Sequence, residues 1–286
     1  MPAAVQRDTR AGFTLSRGLS LPTPVLPSRG GTPTPDRHDL RHPSPPETCQ
    51  PGEGRGVSDS DYAKYLQEEW WLFAGDVARR AESIRGLKGL ECRQVLDVGT
   101  GAGQEMIPFA TAGATCVGID ISRESGVFGS RLFARHYPAL PVQFAAASAE
   151  HLPFPDNVFD LVLCRVTIPY TDNRVALAEM SRVLRPGGVL LLKTHHPRYY
   201  LHKFADGIRR RSPLFSIHAL RVLLSGTIFH VTGRQPAPGI LLRESFLTEG
   251  RLRRELARAG LAIEANLPDS NPLTPSYRIV KADARG

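Results

Sequence analysis

Two carboxylates frame the chemistry open to this chain. Asp97 lies within the segment VLDVGTGAG, Val95–Gly103, and Asp120 ends a second apolar run, VGIDIS, 17 residues beyond Gly103. Glycine permits a tight turn and close approach of backbone to a ligand. A strand that breaks into such a turn before a helix places that ligand at the carboxyl edge of a parallel sheet. The spacing is not that of a dinucleotide-binding loop, because the glycines are Gly99, Gly101 and Gly103, and the position of the third fingerprint glycine is held by Gln104. No Lys and Ser/Thr pair closes the loop, which removes the P-loop reading. A carboxylate just ahead of the glycines repels a pyrophosphate and attracts a cation. A carboxylate at the tip of the next strand accepts hydrogen bonds from both hydroxyls of a ribose. The pair predicts a nucleoside ligand.

Three further residues could act on a substrate. His195 and His196 follow the fifth apolar strand, and an imidazole titrating near neutrality could take a proton from an oxygen or nitrogen nucleophile. Tyr170 follows the fourth strand and could face the same place. The plainer alternatives are that the histidines are polar residues at the rim and that Tyr170 packs on the segment after strand five. Cys49, Cys92, Cys116 and Cys164 are far apart and fit neither zinc-ligand spacing nor a disulfide framework, so no metal and a reducing, cytoplasmic setting are expected.

The elements that must hold these residues alternate along the chain. Strands are expected at 95–98, 115–119, 142–145, 159–165 and 189–193, and helices at 105–112, 122–136 and 173–184. This pattern predicts right-handed crossovers and a doubly wound parallel α/β sheet. A helix at 247–259 and strands at 261–265 and 277–281 complete it. A helix from Ser58 or Ser60, with Tyr62, Tyr65, Trp70 and Phe73 at helical spacing, precedes the sheet. Residues 1–56 hold 10 of the 24 prolines and are expected to be disordered. Their scattered Arg and Ser/Thr loosely suggest an organellar transit peptide as the alternative to a cytoplasmic address. The domain is expected over 57–286.

The formal charge is +8, but 198–243 alone carries 8 basic residues and 1 acidic one. This segment interrupts the alternation and is expected to form a partly helical cap over the acceptor side, deletable without loss of cofactor binding. Its arginines next to apolar residues also raise contact with an anionic membrane. No uncharged apolar run approaches the ~18–20 residues of a membrane span, so an integral membrane protein is not expected.

These residues resemble the class I S-adenosylmethionine-dependent methyltransferases, particularly the quinone-biosynthesis type with a methyltransferase type 11 domain. The resemblance rests on VLDVGTGAG, GIDIS, SAEHLPFPDNVFDLVLC (Ser148–Cys164) and LRPGGVLLL (Leu184–Leu192), in order and at these spacings. It implies a Rossmann-like seven-stranded sheet with the last strand antiparallel. It further implies S-adenosylmethionine bound by Asp97, Gly99, Thr100, Gly101 and Gly103 around the methionine portion, with Asp97 facing the ammonium. Asp120 would hold the ribose, and Ile121 would pack on the adenine. Ser148, where relatives usually have Asp, and Ala149 would meet the adenine amino group, and Arg165 would line the cofactor through its backbone. The acceptor implied is a small molecule. The competing readings are an inactive cofactor-binding protein, raised by Ser148 and the weak base signal, and an RNA methyltransferase, raised by the basic segment. The sequence CRVTIPY, Cys164–Tyr170, lacks the motif an RNA enzyme of this kind would carry after strand four, and nucleic acid is not the expected partner.

Overall fold

The computed structural model describes residues 59–74, 87, 91–236, 243–268 and 271–282. The segment 1–56 lies outside the described residues, as do the side chains of Tyr62 and Phe73. Seven strands form one sheet: β1 (Gln94–Val98), β2 (Thr115–Asp120), β3 (Val142–Ala146), β4 (Phe159–Arg165), β5 (Leu184–Lys193), β6 (Leu261–Leu267) and β7 (Ser276–Lys281). Their order is β3-β2-β1-β4-β5-β7-β6. The first five pair in parallel, and β7 runs antiparallel to both β5 and β6. The chain steps outward from β1 to β3 and then returns to the other side of β1, so the crevice at the carboxyl ends of β1 and β4 is the switch point where such sheets bind ligands.

Near-continuous apolar strands such as Leu161–Cys164 are what a parallel strand covered on both faces requires. Those four residues are buried, as are Leu190–Leu192 beside them. Helices cover the faces: α1 (Asp59–Ala74), the short α2 (Ile107–Thr111) after a 3₁₀ turn at Gln104–Met106, α3 (Arg123–His136) and α4 (Asn173–Val183). Side-chain caps start two of them. Ser122 Oγ accepts from the Ser125 amide, and Asp172 accepts from the amides of Arg174 and Val175. Trp70 on α1 is buried edge-on against Phe133 of α3, with ring centroids 5.4 Å apart. Trp70 and Leu66 of α1 therefore face the core, and Leu66 covers Gly101.

One boundary moved. The strand expected at 189–193 begins earlier, since β5 starts at Leu184 and Arg185–Gly188 form a bulge inside it, and Arg185 Nη1 pairs with Asp160 Oδ1 at 2.5 Å. The other oxygen of Asp160 accepts from the amides of Arg93 and Gln94, so this acid ties the start of β1 to β4 and β5.

The segment after β5 forms two helices, α5 (Pro197–Arg209) and α6 (Pro213–Thr232), before α7 (Glu249–Arg258). It is not a detachable cap. Tyr200 and Val222 are buried with Phe246, and Phe229 belongs to the main core. His230 Nε2 lies 3.0 Å from the Thr248 hydroxyl that caps α7. Losing a buried Phe alone costs about 3–5 kcal/mol. Deleting 198–243 would therefore unfold part of the domain instead of leaving cofactor binding intact, which corrects the sequence expectation.

A second correction concerns α6. It is long and apolar enough to cross a membrane by length and composition, although about a third of it is buried against the protein. Arg221, with His218 and His230, breaks the uncharged run in the sequence without interrupting the helix.

Candidate functional site

The glycine loop hangs over the end of β2. The amides of Gly99 and Thr100 both donate to the Ile119 carbonyl, at 2.8 and 2.9 Å. Gly99 has φ 73° and Gly103 φ 86°, backbone that L side chains rarely adopt. Space is closed at both. A Cβ on Gly99 would run into the Thr167 side chain, and one on Gly103 would lie 2.6 Å from the Phe144 ring. Gly99→Ala should therefore cost more than the ~1 kcal/mol of an ordinary loop substitution, read as a lowered urea midpoint. Thr167→Ala in the same chain should recover the steric part and leave the backbone part. A Gly99→Ala protein with an unchanged midpoint would contradict the close approach.

Asp97 is buried at the end of β1, where its Oδ2 accepts from the Thr100 hydroxyl at 2.8 Å. Burial pushes its carboxyl up to about 7, opposed by the Thr100 hydrogen bond, and Glu105 raises it further while Arg165 lowers it. This carboxyl is short of positive charge in the described structure. Arg165 is turned toward Glu105, with Nε 3.3 Å from Oε1. Gln104 Oε1, at the entry to the 3₁₀ turn, is buried without a hydrogen-bond partner among the described residues. These acceptors thus fit a ligand that brings an ammonium and further N–H or O–H donors.

Asp120 closes the other side of the loop. Its Oδ2 accepts from the Gly101 amide at 3.1 Å and its Oδ1 from the Ser122 amide at 2.9 Å. Burial raises its pKa while these backbone donors lower it. The next residue, Ile121, is 83% exposed, an apolar side chain beside a carboxylate at the sheet edge. Ser148 Oγ accepts from the Glu150 amide at 3.1 Å, so part of its acceptor capacity is used within its own turn, and Ala149 beside it is buried. Glu150 binds the Asp172 amide and Arg243 and serves to join the β3 loop to α4. Just past β4, Val166 has φ 67°, strained backbone for a β-branched residue, and its amide donates to the Lys193 carbonyl. That strain puts Thr167 over Gly99, a detail with no signal in the local sequence.

The histidines separate. His195 is buried, not at the rim, and its ring stacks on Tyr199 at 4.1 Å with Tyr170 edge-on at 6.2 Å. His196 is half-buried and caps α5, its Nδ1 accepting from the Arg198 amide. So Tyr170 and His195 are brought together, and His196 is engaged elsewhere. Tyr200 OH lies 2.7 Å from His195 Nδ1 and donates to Glu244 Oε1 at 2.7 Å. Tyr200 has one proton to give, so Nδ1 is the donor in its contact with Tyr200 and Nε2 is the unprotonated nitrogen of a neutral ring. Burial, then Lys203 and Lys193, holds His195 down to about 3. His218 Nε2 sits 3.1 Å from Glu244 Oε2, off the line of a good hydrogen bond. Neither Tyr200 nor Glu244 was marked by the sequence, since they stand 44 residues apart and nothing local sets them off. The Glu244 segment is held in place by two backbone bonds, from the Ser245 amide to the Pro169 carbonyl and from the Leu247 amide to the His195 carbonyl. No group of three or more His, Cys, Asp or Glu placed to hold a metal ion occurs among the described residues.

Residues 96–192 match the family model described as "Methyltransferase domain". An uncharacterized methyltransferase, YcgJ, of Bacillus subtilis is 38% identical over 114 residues, covering 38% of this chain and 45% of that protein. Demethylmenaquinone methyltransferase of Streptomyces avermitilis is 31% identical over 153 residues, covering 52% of this chain and 64% of that protein. The chain therefore spans about half to two thirds of the length of these curated relatives. The crystal structure of a S-adenosylmethionine-dependent methyltransferase from Aquifex aeolicus superposes with TM-score 0.52 at 17% identity, covering 79% of this chain and all of that one, which establishes likeness of fold. The segment 96–192, from β1 into β5, is thus similar to the methyltransferase domain family, and the sheet order is shared with structures of such enzymes.

Proposed function

We propose that this chain transfers a methyl group from S-adenosylmethionine to a small-molecule acceptor. The reading is carried by one observation, the buried Asp97 carboxyl raised to about 7 beside a glycine loop whose other wall is Asp120. Such a carboxyl regains its charge when an ammonium is set against it. Each Asp120 oxygen accepts one backbone amide and keeps a second lone pair that suits a ribose hydroxyl, and the exposed Ile121 suits a planar base lying across it. Ser148 keeps its hydroxyl proton for a donor contact to that base even though its oxygen serves the Glu150 amide. S-adenosylmethionine supplies an electrophilic methyl group on a sulfonium. The protein's part is then to align the acceptor and exclude water.

His195 Nε2 is the acceptor we assign to the nucleophile's proton, with Tyr200 and Glu244 holding the ring in that tautomer. The Streptomyces avermitilis relative is named for demethylmenaquinone, and we infer an aromatic acceptor of comparable kind, which the ring cluster Tyr170, Tyr199 and His195 supports.

Isothermal titration with S-adenosylmethionine and with its demethylated product tests the first step, and the reading fails if neither binds the folded chain. Asp120→Ala should weaken binding by about 1.5–3 kcal/mol, the worth of a charge-assisted hydrogen bond. Wild-type affinity in that variant would remove Asp120 from the site.

A further inference from the structure

The helix α6 holds a single Lys, Arg, Asp or Glu, Arg221, among its 20 residues, and a helix that apolar belongs in a core or in a membrane. Its inner face, with Ala219, Val222 and Phe229, is buried. Its outer face is not. Leu214, Ile217, Leu220, Leu224, Ile228 and Val231 recur at intervals of three and four residues, and all are exposed, Leu214 at 80% and Val231 at 81%. Arg221, partly exposed, is the one charged residue within the stripe, which follows a helix of 20 residues, about 30 Å long. Scattered exposed apolar residues need no explanation, but a continuous row of this length marks an interaction surface. Leu201 and Ile208 add exposed apolar groups on α5.

At the tip of the hairpin stand Arg209, Arg210 and Arg211, all exposed. Over 198–243 the single acid is Asp206, and it already pairs with Arg209 at 2.7 Å. This charge decides between possible occupants. A second copy docked on the same face would bring the same positive excess against itself, whereas anionic headgroups complement it and acyl chains accept the stripe. We infer that the outer face of the α5–α6 hairpin docks on an anionic lipid bilayer, lying in the interface with its buried face still on the domain. The inference goes beyond the proposed methyl transfer and does not depend on it.

Flotation of the full chain with vesicles tests it, using phosphatidylcholine alone and phosphatidylcholine mixed with phosphatidylglycerol, at low salt. The chain should float with the mixed vesicles and much less with the neutral ones. Changing Arg209, Arg210 and Arg211 to Gln should weaken binding roughly a hundredfold, at about a factor of five for each arginine near the surface. Leu214→Glu with Leu224→Glu should abolish it while circular dichroism and the thermal midpoint stay those of the wild type, since both side chains are exposed. Failure to float with anionic vesicles overturns the inference. So does undiminished binding in both variants, or a sedimentation-equilibrium dimer that the Leu variant dissociates in a chain that ignores lipid.

Discussion

Asp97→Asn should weaken S-adenosylmethionine binding by about a hundredfold to a thousandfold above neutral pH, because a buried ion pair that loses one partner costs about 3–5 kcal/mol, less what relaxation recovers. The wild type should add a pH signature that the variant lacks. In the free protein the carboxyl holds its proton up to about pH 7, and an ammonium in the site requires the charged form. Binding below that pH must expel the proton. Affinity should then fall by about tenfold for each pH unit below 7 and level off above it. Titration in buffers of different ionisation enthalpy would count the released proton directly. A wild-type affinity independent of pH between 5.5 and 8, or an Asn variant that binds like the wild type, would remove Asp97 from the ammonium contact.

Folding stability is a poorer probe of the same group. The Asp97 carboxyl has its pKa raised from 3.8 to about 7 on folding, so the folded state holds the extra proton and stability is lost as pH rises through that window. His195 works in the opposite sense. Its pKa falls from 6.5 to about 3, the unfolded chain holds the extra proton, and stability is gained as pH rises through nearly the same range. The two contributions oppose each other, and only ligand binding isolates the carboxyl.

The second large effect belongs to His195. His195→Ala should lower turnover at saturating cofactor by about 10²–10⁴, the range of a lost proton acceptor, while the dissociation constant of S-adenosylmethionine stays near that of the wild type. Labelled methyl transfer into a cell extract supplies the assay before an acceptor is known. Because the folded imidazole stays neutral down to about pH 3, turnover should show no inflection near 6.5. Tyr200→Phe keeps the ring packing and frees His195 to adopt the other tautomer, so kcat should fall with little change in KM. It should also cost about 1–3 kcal/mol in stability by stranding His195 Nδ1 and Glu244. Full turnover in His195→Ala, or an acid limb at the ordinary histidine pKa, would leave His195 with a structural role only.

Local sequence determined much of this protein. Short apolar strands and the helices between them read correctly because their signals are short-range: hydrophobic period, and glycines that end one element and open the next. The glycine turn after β1 was legible for the same reason, since Gly99, Gly101, Gly103 and the two flanking acids lie within 24 residues of each other. The parallel pairing of the first five strands also follows from the alternation and the handedness of its crossovers, whereas the antiparallel last strand was implied only by the family resemblance.

Tertiary structure decided what depends on neighbours distant in the chain. His195 became a buried neutral ring because Tyr200 and Glu244 meet it, and no pattern within a helix or strand records a partner brought in by a long loop. Asp97 became a carboxyl titrating near 7 through burial, which is a property of everything packed around it. The α6 helix split into a core face and an exposed face by the same logic. Its residues are apolar on both sides, so composition could not say which side the domain would cover. That was settled by where Phe229 and Val222 found the rest of the core.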